Sequence, residues 1–117
     1  MTPCELLICA EDAMVNSYSP YSGFSVGAAL ITAGGRVYKG CNIENSAFSP
    51  TICAERTAFF KAISEGENDF EAIAIVGKYK NGEYKHLCYP CGVCRQVMKE
   101  FCGGDFKIIL GDGKGEY

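Results

Sequence analysis

Positive charge, sustained apolar runs and histidine are all scarce in this chain, and each shortage closes off a class of function. Eleven Lys and Arg stand against fourteen Asp and Glu, for a net charge of −3. A surface that follows phosphates needs a basic surplus or stripe, so no nucleic-acid partner is expected and a small molecule is favoured. The longest uncharged stretch, Ala13 to Gly35, is long enough for a membrane span, but Asn16, four serines, Pro20 and several glycines interrupt it. It lacks the apolar character of a span, so no membrane partner is expected. Met1-Thr2-Pro3-Cys4-Glu5 carries no basic region ahead of an apolar one and does not read as a secretory signal; the expectation is a soluble, cytoplasmic protein. Linkers, repeats and low-complexity segments are also missing. With 117 residues, 48% apolar and 21% charged, the chain reads as one globular domain over residues 1–117, which excludes disorder and coiled coil.

The single histidine, His86, falls in a polar segment, is expected to be exposed and makes a poor metal-ligand candidate. Cysteine is the opposite case. Eight of them (Cys4, Cys9, Cys41, Cys53, Cys88, Cys91, Cys94 and Cys102) give about 7% of residues, just under the density of a disulfide scaffold. Disulfide scaffolds are loop-rich and short of core, whereas this chain has long helical and strand-like runs. Without a secretory signal, reduced thiols or metal ligation account for them better.

Thr2-Pro3-Cys4-Glu5 has the form of a capping box with proline at the first helical position, predicting a helix to about Asn16 with Leu6, Leu7, Ala10, Met14 and Val15 as its buried stripe. Phe24 to Ala33 reads as a strand, Gly34-Gly35 as a two-residue hairpin turn with positive φ at both positions, and Arg36 to Ile43 as the returning strand. Thr51 is the expected cap of a second helix running to about Glu65 and ended by Gly66. The apolar run Ala72 to Val76 predicts a strand buried on both faces. Lys78 to His86 is a polar excursion turning at Asn81-Gly82; Pro90 opens a third helix to about Cys102, and Phe106 to Leu110 is the last strand, followed by a turn at Gly111-Asp112-Gly113. The order α-β-β-α-β-α-β predicts a compact three-layer α/β domain, with a mixed sheet of four or five strands between helices.

Two motifs carry chemistry. Cys53 lies in Thr51-Ile52-Cys53-Ala54-Glu55-Arg56, and Cys91 and Cys94 lie in Pro90-Cys91-Gly92-Val93-Cys94-Arg95, each at a predicted helix start. Outward-pointing amides and the helix dipole there favour thiolates, which are good zinc ligands. Three protein ligands leave a fourth position open, the arrangement of a catalytic zinc. Glu55 follows Cys53 by two residues within the first turn, close enough to reach a water at that open position without itself ligating. Taken alone, Glu55 could equally complement the helix dipole, and Cys91-x-x-Cys94 could equally be a redox or structural-zinc pair. Ligand-x-Glu followed by Pro-Cys-x-x-Cys is the signature of zinc-dependent nucleobase deaminases, and both halves are present here. Arg56 sits one helical turn after Cys53, placed to donate to the ligand sulfurs and draw off charge.

Phe24-Ser25-Val26-Gly27-Ala28-Ala29-Leu30, Gly40-Cys41-Asn42-Ile43-Glu44-Asn45, Cys53-Ala54-Glu55-Arg56-Thr57-Ala58 and Pro90-Cys91-Gly92-Val93-Cys94-Arg95-Gln96 together resemble cytidine deaminases of the small homotetrameric type, over nearly the whole chain. The resemblance implies a cytidine-deaminase-like α/β/α fold, one Zn²⁺ per chain on Cys53, Cys91 and Cys94, Glu55 as proton shuttle, and Arg56 donating to the sulfurs. It implies hydrolysis of cytidine or deoxycytidine in pyrimidine salvage, by a homotetramer. Asn42 and Glu44 would hold the ribose hydroxyls, Phe24 would pack beside the base, and the Ala54 backbone would face the pyrimidine edge. The alternatives are a deaminase of another aminopyrimidine nucleoside such as blasticidin S, and a zinc-stabilised binding module without turnover. Three departures stand out: Phe48 occupies a position near the subunit interface where the family commonly has tyrosine, the Lys78–His86 excursion is longer than usual, and the sequence stops at Tyr117, where the family usually continues into a tail that helps close a neighbouring site.

Overall fold

The computed structural model describes residues 1–85, 87–113 and 117. His86 lies outside the described residues, so the expectation for it has no structural counterpart. Helix α1 spans Pro3–Ala13 and opens on the expected capping box: the Thr2 hydroxyl accepts from Glu5 N–H at 3.1 Å, and the Glu5 carboxylate accepts from Thr2 N–H at 2.8 Å. A 3₁₀ turn, Met14–Asn16, completes the predicted helix. Leu6, Leu7 and Ala10 are buried as expected, but the tighter turn rotates Val15 off the stripe and leaves it 80% exposed.

Strands β1 (Phe24–Thr32) and β2 (Val37–Cys41) form the predicted hairpin. The turn differs from expectation. Thr32 N–H pairs with Arg36 C=O and Gly35 N–H with Thr32 C=O, so three residues form the loop, and only Gly35 has positive φ, at 91°. β2 also stops at Cys41, short of Ile43. Helix α2 spans Ala54–Ser64 and ends in a Schellman motif: Gly66, at φ 95°, donates to Ile63 C=O while Glu67 N–H donates to Ala62 C=O. β3 runs over Phe70–Tyr79, longer than its apolar stretch, then comes α3 (Gly92–Phe101) and finally β4 (Lys107–Leu110).

Among the described residues four strands form one sheet in the order β2-β1-β3-β4; β1 is antiparallel to both neighbours and β3-β4 is parallel. The strand period of two sorts the two interior faces. Ala29, Ile31, Ala72, Ala74 and Val76 pack with Leu6, Leu7 and Ala10 of α1 on one face. Ala28, Leu30, Ile73 and Ile75 pack with Ala58, Phe59 and Ala62 of α2 and Cys94 and Met98 of α3 on the other. This is the expected three-layer arrangement, and it places α2 and α3 on the same side. α2 lies unusually close to β2: a Cβ on Gly40 would come within 2.4 Å of the Ala54 carbonyl oxygen and 2.6 Å of the Ala58 amide nitrogen. No helix among the described residues is long and apolar enough to cross a membrane.

Candidate active site

The two motifs meet where the N-termini of α2 and α3 come together. Thr51 does not cap α2. Ile52 exchanges backbone hydrogen bonds with Ile43, which keeps the chain extended through Cys53, and Cys53 itself becomes the N-cap at φ −79°, ψ 155°. The Thr51 hydroxyl instead accepts from Asn45 N–H at 3.0 Å, tying down the loop before the helix. α3 likewise starts at Gly92 rather than Pro90, with Cys91 as N-cap and its sulfur accepting from Cys94 N–H at 3.5 Å. Both helices thus carry a sulfur where Ser, Thr, Asp or Asn would ordinarily sit.

The three sulfurs cluster as the sequence suggests. Cys53 Sγ is 3.6 Å from Cys91 Sγ, Cys91 Sγ is 3.4 Å from Cys94 Sγ, and all three lie within 4.8 Å of one another. A tetrahedral zinc with Zn–S near 2.3 Å sets its sulfurs about 3.8 Å apart, so this soft donor set fits the ion with little adjustment. The Arg56 guanidinium donates through Nη2 to Cys53 Sγ at 3.4 Å. Its Nε is the only buried side-chain nitrogen or oxygen among the described residues without a hydrogen-bond partner. Hydrogen bonding from Cys94, then from Arg56 and Cys91, lowers the Cys53 thiol, while the same bond to Cys53 and burial push Cys94 up. The Arg56 charge beside Cys53 adds to the lowering at that sulfur. Glu55 is only 4% exposed, and burial pushes its carboxyl up to about 7, with the Cys53 charge adding to the rise.

A cavity of about 250 Å³ opens over this cluster, and its walls include Phe24, Asn42, Glu44, Cys53, Ala54, Glu55 and Cys91. Cys94 is buried behind them. Asn42 and Glu44 follow the end of β2 rather than belonging to it, held between Tyr18 and Ile52 by backbone bonds of Ile43 and Glu44. The Asn42 side chain locks this segment to β1: its Nδ2 donates to Phe24 C=O at 2.8 Å, and its Oδ1 accepts from Val26 N–H at 2.9 Å and from the Ser17 hydroxyl. Glu44 accepts from Tyr21 N–H at 3.0 Å, Ser22 N–H at 3.1 Å and the Ser22 hydroxyl. Burial alone would raise Glu44, but these donors outweigh it and hold the carboxyl below its ordinary value.

Sequence reasoning did not place Lys85, Cys88 and Tyr89 in this cavity, yet all three line it. Cys88 and Tyr89 directly precede the Pro90-Cys91 step, the one local hint available; Lys85 comes from the polar excursion, where no periodicity marks a wall residue. Cys88 is buried and its thiol is pushed up to about 11 by that burial; the sulfurs close enough together to share an ion are those of Cys53, Cys91 and Cys94, without Cys88.

The cytidine and deoxycytidylate deaminase zinc-binding region matches residues 2–110. The chain is 48% identical over 112 residues to a cytidine deaminase of Sporosarcina psychrophila, covering 96% of this chain and 79% of that one. It is 50% identical over 107 residues to a cytidine deaminase of Halalkalibacterium halodurans, covering 92% and 77% respectively. Its fold superposes on the crystal structure of cytidine deaminase from Burkholderia pseudomallei with a TM-score of 0.87 and 42% identity, covering 99% of this chain and 89% of that one. With a three-sulfur cluster that fits zinc, a buried glutamate beside it and these matches over most of its length, the chain belongs to the zinc-binding cytidine and deoxycytidylate deaminase family.

Proposed function

We propose that the protein hydrolyses cytidine or deoxycytidine to the uracil nucleoside and ammonia, with one Zn²⁺ per chain held by Cys53, Cys91 and Cys94. The observation that supports this best is a buried carboxylate, Glu55, beside a three-sulfur cluster on the floor of a cavity walled by Phe24, Asn42, Glu44 and Ala54. When bound, Zn²⁺ supplies the Lewis acidity that makes water a competent nucleophile at neutral pH. Glu55 moves the protons: its carboxylate accepts one from the attacking water and gives it to ring N3 as the C4–O bond forms. It then carries the hydroxyl proton to the amine, which leaves as ammonia when the C4–N bond breaks. Arg56 acts through the sulfurs, drawing off part of the charge that three thiolates would bring to the ion.

Phe24 offers an apolar ring face to the substrate, and the backbone of Ala54 meets the pyrimidine edge. Asn42 keeps one Nδ2–H without a partner among the described residues, and Glu44 Oε2 keeps acceptor capacity, so the pair suits ribose hydroxyls. The same reading places the chain as one catalytic domain in cytoplasmic pyrimidine salvage and assembles it as a homotetramer. Tyr18, Tyr21, Ile43 and Phe48 support that assembly, because they leave large apolar side chains exposed on the segments flanking Asn42 and Glu44.

The test is cytidine turnover by zinc-loaded protein beside Glu55→Ala. Uridine and ammonia from the wild type alone are expected. A zinc-replete Glu55→Ala protein that still deaminates would remove Glu55 from its role. Wild type carrying one zinc per chain that leaves cytidine and deoxycytidine intact would overturn the function, and turnover of blasticidin S in the same assay would redirect it.

A further inference from the structure

β3 continues beyond its apolar stretch to Tyr79, and a hairpin holds the extension in place. Tyr79 N–H donates to Glu83 C=O at 2.7 Å, Lys85 N–H donates to Gly77 C=O at 2.8 Å, and the turn closes through Gly82 N–H on Tyr79 C=O at 2.9 Å. Gly82 takes φ 92°, as the Asn81-Gly82 turn requires. Lys78 bridges Tyr84 across the hairpin, and its ammonium lies 5.4 Å from the Tyr84 ring centroid.

The extension runs alongside the start of β1, where Tyr79 is the register partner of Phe24 and Gly77 that of Val26. Phe24, Val26, Gly77 and Tyr79 therefore share one face of the sheet, the face that carries α2 and α3. The Phe24 and Tyr79 rings lie 4.9 Å apart between centroids, tilted by 47°. Gly77 supplies the space for the Phe24 ring: a Cβ there would sit 2.4 Å from Phe24 Cζ and 3.0 Å from Cys88 Sγ. Phe24 is thus held by a ring on one side and by a missing side chain beneath it, while it lines the cavity.

We propose that Gly77 and Tyr79 are positioning residues for the substrate, fixing the Phe24 ring in the pose the nucleoside meets, and that the 79–85 hairpin serves to hold them there. The proposal rests on the assignment of Phe24 to the substrate wall. A half-buried phenylalanine without such neighbours would sample other rotamers, and the nucleoside would have to order it on binding. Because Phe24 touches ground state and transition state alike, loosening it weakens binding and leaves the chemical step alone, so the loss belongs in KM.

The experiment compares Tyr79→Ala, Tyr79→Phe and Gly77→Ala in the zinc-loaded full chain, by steady-state kinetics with cytidine and by calorimetric binding of uridine. Tyr79→Ala is expected to raise KM and the uridine Kd about five- to tenfold with kcat within about twofold, the scale of one lost aromatic pair. Tyr79→Phe restores both, since the ring and not the hydroxyl makes the contact. Gly77→Ala, which pushes the ring into the cavity, raises both constants as well. Unchanged KM and Kd in Tyr79→Ala would overturn the proposal. So would a fall in kcat and melting temperature at constant KM, or a Phe variant no better than the Ala variant. A wild type that binds uridine but does not deaminate cytidine would instead sink the catalytic reading, and the Kd series would still decide the positioning.

Discussion

Gly40→Ala tests how the fold holds the site. The new Cβ would lie 2.4 Å from Ala54 O, 2.6 Å from Ala58 N and 3.1 Å from Ala58 Cα. All three are backbone atoms of α2, so no rotamer change relieves the contact, and the helix must back away from β2 by about 1 Å to reach ordinary van der Waals distance. Overpacking of this kind costs about 1–3 kcal/mol. For a domain of this size that lowers the melting temperature by roughly 4–12 °C. The more telling effect is local, because the first turn of α2 carries Cys53 and Glu55, whereas Cys91 and Cys94 sit on α3 and are not pushed. The Cys53–Cys91 sulfur separation, now 3.6 Å, would open past the roughly 3.8 Å edge of a zinc tetrahedron. Zinc affinity should fall about 10- to 100-fold and kcat/KM about 100-fold even at saturating metal. The assay is zinc competition against a chromophoric chelator, with calorimetric melting and cytidine kinetics on the same preparations. Gly104→Ala, where a Cβ meets nothing within 4 Å, is the control. A Gly40→Ala protein with wild-type zinc affinity and kcat/KM would refute the claim that contact between α2 and β2 sets the sulfur geometry.

Arg56→Met removes the donor to Cys53 Sγ together with a buried nitrogen that lacks a partner among the described residues, so stability should change by less than about 1 kcal/mol while zinc affinity drops about tenfold, read by melting and by chelator competition. Stripping zinc with a chelator should lower the melting temperature and abolish turnover together, and both should return on adding one equivalent of Zn²⁺; full activity in the metal-free protein would contradict the assignment. Burial pushes Cys88 and Cys102 up to about 11, so alkylation of the zinc-loaded protein at pH 8 should find them roughly 200-fold less ionised than an ordinary thiol and modify exposed Cys4 before either; their rates should climb as pH approaches 11, followed by peptide mass spectrometry. Phe59→Ala, at a fully buried ring packed edge-on to Phe70 beneath α2, should cost about 3–5 kcal/mol, measured by denaturant unfolding.

What the sequence made legible was local. The Thr2–Glu5 capping box, the Gly66 stop and the unbroken apolar run that buries β3 on both faces each depend on neighbours within a few residues, and each is found in the structure. The misplaced boundaries have distant causes. Thr51 has the chemistry of an N-cap, but pairing of Ile52 with Ile43 carries the extended chain two residues further, and the cap falls on Cys53. The pattern extends the second strand through Asn42 to Ile43. The Asn42 amide binds the backbone of Phe24 and Val26, which ends β2 at Cys41 and builds a loop instead. Lys85 was invisible as a wall residue because a cavity wall has no period, and the hairpin after β3 brings it there through Lys85 N–H on Gly77 C=O; Cys88 and Tyr89 offered only their place just before Pro90.

The meeting of two motifs 38 residues apart follows from topology rather than from either motif. β3, α3 and β4 make a parallel unit, so α3 must start beyond the carboxyl end of β3 and run back along the sheet. α2 packs on the same face, and its glycine contact with β2 fixes how closely it lies. Two helices that begin near one end of one sheet direct both sets of unpaired amide groups into the same crevice, the place where open α/β sheets bind ligands. A sulfur at each N-cap then places ligands where the dipoles favour anions, and a glutamate in the first turn of α2 is buried by the same packing that aligns the helices. The residues that would do the chemistry are few and short-range in sequence. What brings them together is the crossover, and that is why Gly40, which lies outside the cavity wall but against Ala54, is the position at which fold and function are expected to fail together.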